Sequence, residues 1–225
     1  MYRHTLRIMD DSSLSKVWLL VVCAVGLCLA STCALAAGDA GKGRSLYPVC
    51  TACHGAKGEG NAAMKAPKLA GQTGWYLKRQ MELFQQGARG TAAGDMTGMQ
   101  MAAMAKGPQL ASDAALDDLV AYIDSFPETQ QAPTIQGDAE AGATLYATCA
   151  ACHGKRAEGN EAMAGPRLAG QSDWYLVAQL QKFRDGQRGY HNSDHGGRQM
   201  RAMSGTVATE AAMHNVVAYI NSLTD

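Results

Sequence analysis

The feature that most constrains this chain is a five-residue cysteine–histidine pattern that occurs twice. Cys50-Thr-Ala-Cys53-His54 and Cys149-Ala-Ala-Cys152-His153 lie 99 residues apart. They belong to a longer internal repeat, because residues 51–90 map onto residues 150–189 at the same offset without a gap. A chain of 225 residues with such a repeat is expected to form two similar small domains.

Each motif has the spacing by which a haem is attached covalently to a protein. Two thiols on one helical turn can each form a thioether with a haem vinyl group, and the adjacent imidazole then faces the iron. One motif alone would also fit a redox dithiol or half of a zinc site. Two copies favour two haem c groups, with a single zinc ion bound by all four cysteines as the alternative. The predicted thioether cysteines and iron-binding histidines are Cys50, Cys53, His54, Cys149, Cys152 and His153.

The N-terminal segment has the pattern of a secretory signal. Basic residues precede an uncharged run over residues 17–38, which contains Ala34-Leu35-Ala36 near its end. We therefore predict a signal peptide over residues 1–36 and a periplasmic location for the mature protein. An uncleaved membrane anchor is the alternative, because the apolar run is long.

Charge excludes one class of partner. Residues 37–225 carry 17 Lys or Arg against 18 Asp or Glu, and no basic patch is apparent in the sequence. A nucleic-acid partner is therefore not expected.

The remaining pattern is helical, so the predicted fold class is all-α. The predicted domains are residues 37–126 and 137–225, joined by a linker over residues 127–136 that has two prolines and no periodicity. The apolar spacing predicts helices near residues 40–52, 75–88 and 112–125, and near 140–151, 173–187 and 209–223. Ser112 is the predicted N-cap of the third helix.

A second iron ligand is needed in each domain if the protein is an electron carrier. Two methionine pairs recur in both repeats at suitable positions. Met101 and Met200 each lie 47 residues after the motif histidine, and Met104 and Met203 each lie 50 residues after it. Spacing alone leaves both pairs open.

With its two Cys-x-x-Cys-His motifs, the chain resembles the cytochrome c4 family of dihaem class I cytochromes. The resemblance also rests on the recurring Leu-Ala-Gly-Gln segments, the Met-x-x-Met segments and the Ala-Tyr-Ile endings. It implies two tandem class I cytochrome c domains related by a pseudo-two-fold axis. It further implies that the first methionine of each Met-x-x-Met segment ligates iron, which selects Met101 and Met200.

The resemblance also implies roles around each haem. The carbonyls of Pro67 and Pro166 are expected to accept a hydrogen bond from the imidazole of the motif histidine. Gly43 and Gly142 are expected where the first and last helices of each domain cross, with tyrosines packed around the crossing. These tyrosines are Tyr47, Tyr122, Tyr146 and Tyr219.

The function implied by the resemblance is electron transfer without catalysis. We expect a carrier that moves electrons from a respiratory donor to a terminal oxidase or reductase, either soluble or peripherally associated with the membrane. A dedicated electron-transfer subunit of a larger oxidoreductase is the first alternative. A dihaem peroxidase or a thiosulfate dehydrogenase-like enzyme is the second, and the similarity of the two repeats argues against it.

Overall fold

The computed structural model describes residues 38–223, so the predicted signal peptide over residues 1–36 lies outside the described part of the chain. Residues 38–223 contain no β-strand, and two isolated bridges pair Asn61 with Ala66 and Asn160 with Gly165. The prediction of an all-α fold is therefore confirmed. The helices are α1 (Ala40–Leu46), α2 (Pro48–His54), α3 (Gly74–Gln85), α4 (Met96–Ala105), α5 (Asp113–Asp124), α6 (Ala139–His153), α7 (Asp173–Arg184), α8 (His195–Met203) and α9 (Glu210–Ser222).

The prediction of one continuous first helix in each domain is wrong for the first domain. The second domain has a single helix, α6, as predicted. In the first domain the helix is interrupted at Tyr47, between α1 and α2. Pro48 begins α2 at the position where the second repeat has Ala147. Proline lacks the N–H that would bond to the preceding turn, and its ring crowds the carbonyl four residues earlier, so the helix breaks there.

The middle helices end earlier than predicted, for a common reason. Helix α3 stops at Gln85 and α7 at Arg184, and glycines with positive φ follow at Gly87 (φ 72°) and Gly186 (φ 73°). Such left-handed residues terminate a helix.

The predicted N-cap of α5 is confirmed, because the Ser112 side chain accepts a hydrogen bond from the Ala115 N–H.

Helices α4 and α8, which carry the Met-x-x-Met segments, were not predicted. An aspartate caps each of them: Asp95 Oδ1 accepts from Gly98 N–H, and Asp194 Oδ1 accepts from Gly197 N–H, both at 2.9 Å. Both helices are short and contain glycine, so their tertiary contacts and caps outweigh their weak local propensity.

The predicted crossing of first and last helices is confirmed in both domains. A Cβ atom on Gly43 would overlap the Asp118 carbonyl oxygen of α5, and one on Gly142 would overlap the Asn215 carbonyl oxygen of α9. Aromatic pairs pack beside each crossing. The ring centroids are 5.6 Å apart for Tyr47 and Tyr122 and 5.4 Å apart for Tyr146 and Tyr219.

The two domains contact each other through matching groups. The Gln72 side chain donates to the Arg167 carbonyl at 3.0 Å, and the Gln171 side chain donates to the Lys68 carbonyl at 2.9 Å. Each group in one bond is 99 positions from its counterpart in the other, as expected for a pseudo-two-fold axis.

Among the helices of residues 38–223, none has both the length and the apolar character needed to cross a membrane.

The helix crossing gives a stability test. Gly142→Ala should lower the free energy of unfolding of the holoprotein by about 1–3 kcal/mol, because the new methyl group overlaps backbone that cannot move aside. Gly196→Ala is the matched control, since a Cβ there meets nothing within 4 Å. Denaturant titration followed by circular dichroism measures both variants. Equal stability of the two would contradict the packing described here.

Candidate haem sites

The motif residues lie at the C-terminal ends of α2 and α6. His54 and His153 are the last residues of these helices, and Gly55 (φ 85°) and Gly154 (φ 83°) turn the chain away immediately afterwards. The cysteines are within the same helical turns and are partly buried. Each motif therefore presents two thiols and one imidazole from one rigid helix end.

Both imidazoles are oriented by the predicted proline contact. His54 and His153 are each 5 % exposed, and each ring Nδ1 lies 2.8 Å from a carbonyl oxygen, that of Pro67 or of Pro166. Because a carbonyl only accepts, the proton must be on Nδ1, which leaves the Nε2 lone pair free for iron. Burial lowers the pKa of both imidazoles despite the carbonyl contact, so both are held in the neutral, ligating form.

Further hydrogen bonds fix the loop after each histidine. The Tyr47 hydroxyl donates to the Gly55 carbonyl at 2.8 Å, and the Tyr146 hydroxyl donates to the Gly154 carbonyl at 2.7 Å. The carbonyl of each histidine also accepts from a glycine N–H six residues later, at 2.8 Å in both domains. The two sites thus share the same backbone support.

The thiols do not fit the alternatives to haem attachment. Burial raises the pKa of the Cys50 thiol to about 11 and also raises the pKa of the Cys149 thiol, so neither is a reactive thiolate of the kind used in redox dithiols. Across residues 38–223, no group of three or more His, Cys, Asp or Glu side chains is arranged to hold a metal ion. The four cysteines do not form the zinc site considered above.

The two methionine pairs differ in exposure. Met101 and Met200 are partly buried, whereas Met104 is 45 % exposed and Met203 is 36 % exposed. In the first domain, Met101 packs against a core cluster that includes Phe84 of α3. A partly buried thioether is the kind of soft ligand that would suit haem iron.

Sequence reasoning missed a polar cluster between the domains. Arg89 and Arg188 are buried there, and the side chains of Gln80 and Gln179 accept their hydrogen bonds. A signal was present, since both arginines and both glutamines recur at the offset of 99 inside the repeat. Arginine and glutamine are usually exposed, so their recurrence alone did not indicate burial.

Comparison with known proteins agrees with this geometry. The family model described as cytochrome c matches residues 40–127 and again residues 139–224. A cytochrome c4 from Azotobacter vinelandii is 39 % identical over 166 residues, covering 68 % of this chain and 76 % of that protein. The chain belongs to the cytochrome c4 family.

The comparison also includes a solved structure and a relative that is named after its electron donor. The crystal structure of reduced recombinant cytochrome c4 from Pseudomonas stutzeri has a TM-score of 0.64 and 29 % identity, covering 82 % of this chain and 98 % of that one. A protein named thiosulfate dehydrogenase electron acceptor, from Stutzerimonas stutzeri strain A1501, is 34 % identical and covers 69 % of this chain and 72 % of its own length. As a member of the cytochrome c4 family, the protein carries two covalently bound haem c groups and transfers electrons.

Haem content tests the assignment of the motifs. Changing Cys149 and Cys152 together to alanine should leave one covalently bound haem per chain, because the thioether bonds of the second domain cannot form. The intact mass of the purified protein, supported by the absorbance of its alkaline pyridine haemochrome, measures the number. The reciprocal variant at Cys50 and Cys53 is the matched control and should also retain one haem. Two haems in either variant would contradict the assignment.

Proposed function

We propose that this protein is a periplasmic electron carrier that accepts electrons from a respiratory donor and passes them to a terminal oxidase or reductase. Its irons are bound by His54 and Met101 in the first domain and by His153 and Met200 in the second. Cys50, Cys53, Cys149 and Cys152 form the thioether bonds. The predicted signal over residues 1–36 supports export, after which haem attachment takes place.

Burial supports the choice of methionines. An iron ligand must lie inside the domain beside the haem, and Met101 and Met200 are the less exposed members of their pairs. The thioether is a soft ligand that favours ferrous iron, so it suits a carrier with a high potential. Met104 and Met203, on the same helices, are left to contact solvent or a partner.

The equivalence of the two sites supports a carrier rather than an enzyme. The contacts of the motif histidines and of the tyrosines beside them agree within 0.1 Å between the domains. A dihaem enzyme uses one haem for transfer and another, with an open or displaceable ligand, for catalysis. This observation carries the proposal, because matched supports on the histidine side, together with a partly buried methionine at the same spacing in each domain, favour the same coordination at both irons.

A second candidate is the role of electron acceptor for a dehydrogenase. The 34 % identity to a thiosulfate dehydrogenase electron acceptor favours it. The chemistry of the carrier would be unchanged and only its donor would differ.

Rapid-mixing kinetics distinguish these roles. The reduced holoprotein should be oxidised by membranes that contain a cytochrome c-dependent terminal oxidase, at a rate that is saturable in oxidase. The oxidised holoprotein mixed with thiosulfate dehydrogenase and thiosulfate tests the second candidate. Reduction by the dehydrogenase without any oxidation by the membranes would favour the dedicated acceptor and contradict the respiratory carrier.

The axial ligand of the second haem gives the sharpest test of the site. Met200→His should lower the potential of that haem by roughly 100 mV, because imidazole favours ferric iron more than a thioether does. The weak red absorption of ferric methionine-ligated haem should fall by about half, since the first haem retains Met101. Spectroelectrochemical titration of the holoprotein measures both effects.

Met203→Leu is the control for that variant, because Met203 lies one helical turn further along α8 and is exposed. It should leave the potential and the red absorption unchanged. If Met203→Leu abolishes half of the absorption and Met200→Leu does not, the order within the Met-x-x-Met segments is reversed.

A further inference from the structure

Two exposed arginines lie on α8, the helix that carries Met200. Arg198 and Arg201 are three residues apart, so their side chains leave the helix at neighbouring positions on its surface. Within residues 38–223, neither guanidinium is within ion-pair distance of a carboxylate. The outer face of α8 therefore carries two positive charges that this part of the chain does not neutralise.

The aspartates that flank α8 in the chain bind other groups. Asp185 accepts a hydrogen bond from Arg184 Nε at 3.0 Å, and Asp194 Oδ1 accepts one from the Gly197 N–H at 2.9 Å. Asp194 is also buried, so its carboxylate caps the helix and is not part of the outer face. Both carboxylates are thus used inside the second domain.

The fold of the second domain explains only one of the two arginines. Arg201 is in the last turn of α8, where a cation is favourable, and its guanidinium lies against the turn after α7, since a Cβ on Gly186 would be 3.2 Å from Arg201 Nη2. Arg198 is the fourth residue of α8, close to the positive end of the helix dipole, where a cation is unfavourable. The two like charges also repel each other.

The equivalent helix of the first domain has a different surface. At the offset of 99, Met99 and Ala102 of α4 occupy the positions of Arg198 and Arg201. Methionines dominate the exposed side of α4, and Met96 is 64 % exposed. Both helices have an aspartate cap and a Met-x-x-Met segment, so the charge on α8 is not required to build such a helix. It points instead to what the second domain contacts.

The outer face of α8 is well placed for an encounter between redox proteins. Met200, the proposed ligand of the second iron, is on the same nine-residue helix and is partly buried. A protein bound to the outer face would therefore be one helix away from that ligand. Electron transfer needs this kind of close approach, and encounters between redox proteins use small interfaces.

We propose that Arg198 and Arg201 form a docking surface for an acidic patch on a redox partner protein, which exchanges one electron at a time with the second haem. Each guanidinium can donate two parallel hydrogen bonds to a carboxylate of the partner. Exposed charges of opposite sign also raise the rate of association without a large interface. The inference rests on the proposed function, because the carrier and its partner supply the electron.

An anionic membrane surface is the competing occupant. Basic segments that bind anionic lipids contain about four to eight Lys or Arg residues. The described part of the chain that follows α8 adds no basic residue over residues 204–209, so this face has only two arginines. Its charge therefore fits a patch of a few carboxylates on a protein better than an extended lipid surface.

Oxidation of the reduced holoprotein by ferricyanide tests the charge of this face without a natural partner. In the double variant Arg198→Gln with Arg201→Gln, the second-order rate constant should fall by about fivefold at about 0.01 M ionic strength, where charges act over about 30 Å, and should be nearly unchanged at about 1 M. The cationic oxidant tris(phenanthroline)cobalt(III) should react faster with this variant than with the wild type at the lower ionic strength. Stopped-flow haem absorbance measures both rates.

Two variants are matched controls for this measurement. Lys42→Gln removes one positive charge from α1 of the first domain, where the side chain is 72 % exposed, and Met99→Gln changes the position on α4 that corresponds to Arg198. Both should leave the rates with the two oxidants unchanged. An equal effect of Lys42→Gln and Arg198→Gln would overturn the proposal, because the rate would then follow net charge. A slower rate in the double variant that persists at about 1 M ionic strength would also overturn it.

Membranes that contain a cytochrome c-dependent terminal oxidase supply a natural acceptor. At low ionic strength, the apparent Michaelis constant of the oxidase for the double variant should be about tenfold higher than for the wild type, with the maximal rate unchanged. Equal Michaelis constants would overturn the docking surface and leave the proposed function standing. If the membranes do not oxidise the wild type, the proposed acceptor is wrong, and the ferricyanide rates still decide whether this face attracts anions.

Sedimentation with vesicles tests the competing occupant. The holoprotein should stay in the supernatant when mixed with vesicles made of equal parts of phosphatidylcholine and phosphatidylglycerol at low ionic strength. Binding of the wild type that is lost in the double variant would assign the outer face of α8 to a membrane and overturn the proposal of a protein partner.

Discussion

The hydrogen bond between the motif imidazole and a prolyl carbonyl is the contact on which each domain depends. It joins residues 13 positions apart, His54 to Pro67 and His153 to Pro166. One bond closes the loop after the motif, selects the tautomer with its proton on Nδ1 and leaves the Nε2 lone pair free for iron. Because the histidine is also the last residue of a helix, the same contact ties the haem motif to the crossing of first and last helices, where Gly43 and Gly142 bring the backbones together.

The two domains are nearly equivalent, but their interface is not fully symmetric. Paired contacts repeat across it, such as those of Gln72 and Gln171. The Lys182–Asp95 ion pair has no counterpart, because the first repeat has Leu83 where the second has Lys182. This ion pair therefore gives the two halves of the interface different electrostatic surroundings, while the hydrogen bonds that support the motif histidines stay the same.

Much of the fold and the site could be predicted from the sequence, because each informative motif and spacing occurs in both repeats. The haem motifs followed from residue types at fixed spacing, whereas the crossing glycines and the Pro67 contact followed from the resemblance to the cytochrome c4 family. The break at Pro48 was equally readable, but the helix prediction followed the apolar pattern and passed over the proline. Helices α4 and α8 could not be found, since their stability comes from aspartate caps and tertiary packing. Nor could the burial of Arg89 and Arg188, which depends on contacts between domains.

The central claim is that both irons are closed, electron-carrying centres joined in one protein. Reductive titration of the purified, fully oxidised holoprotein, followed by haem absorbance and by the spin state of each haem, tests this most directly. We expect two electrons per chain, taken up in two one-electron steps, with both haems low-spin before and after reduction. One electron per chain, or a haem that is high-spin and binds added ligand in either state, would contradict it.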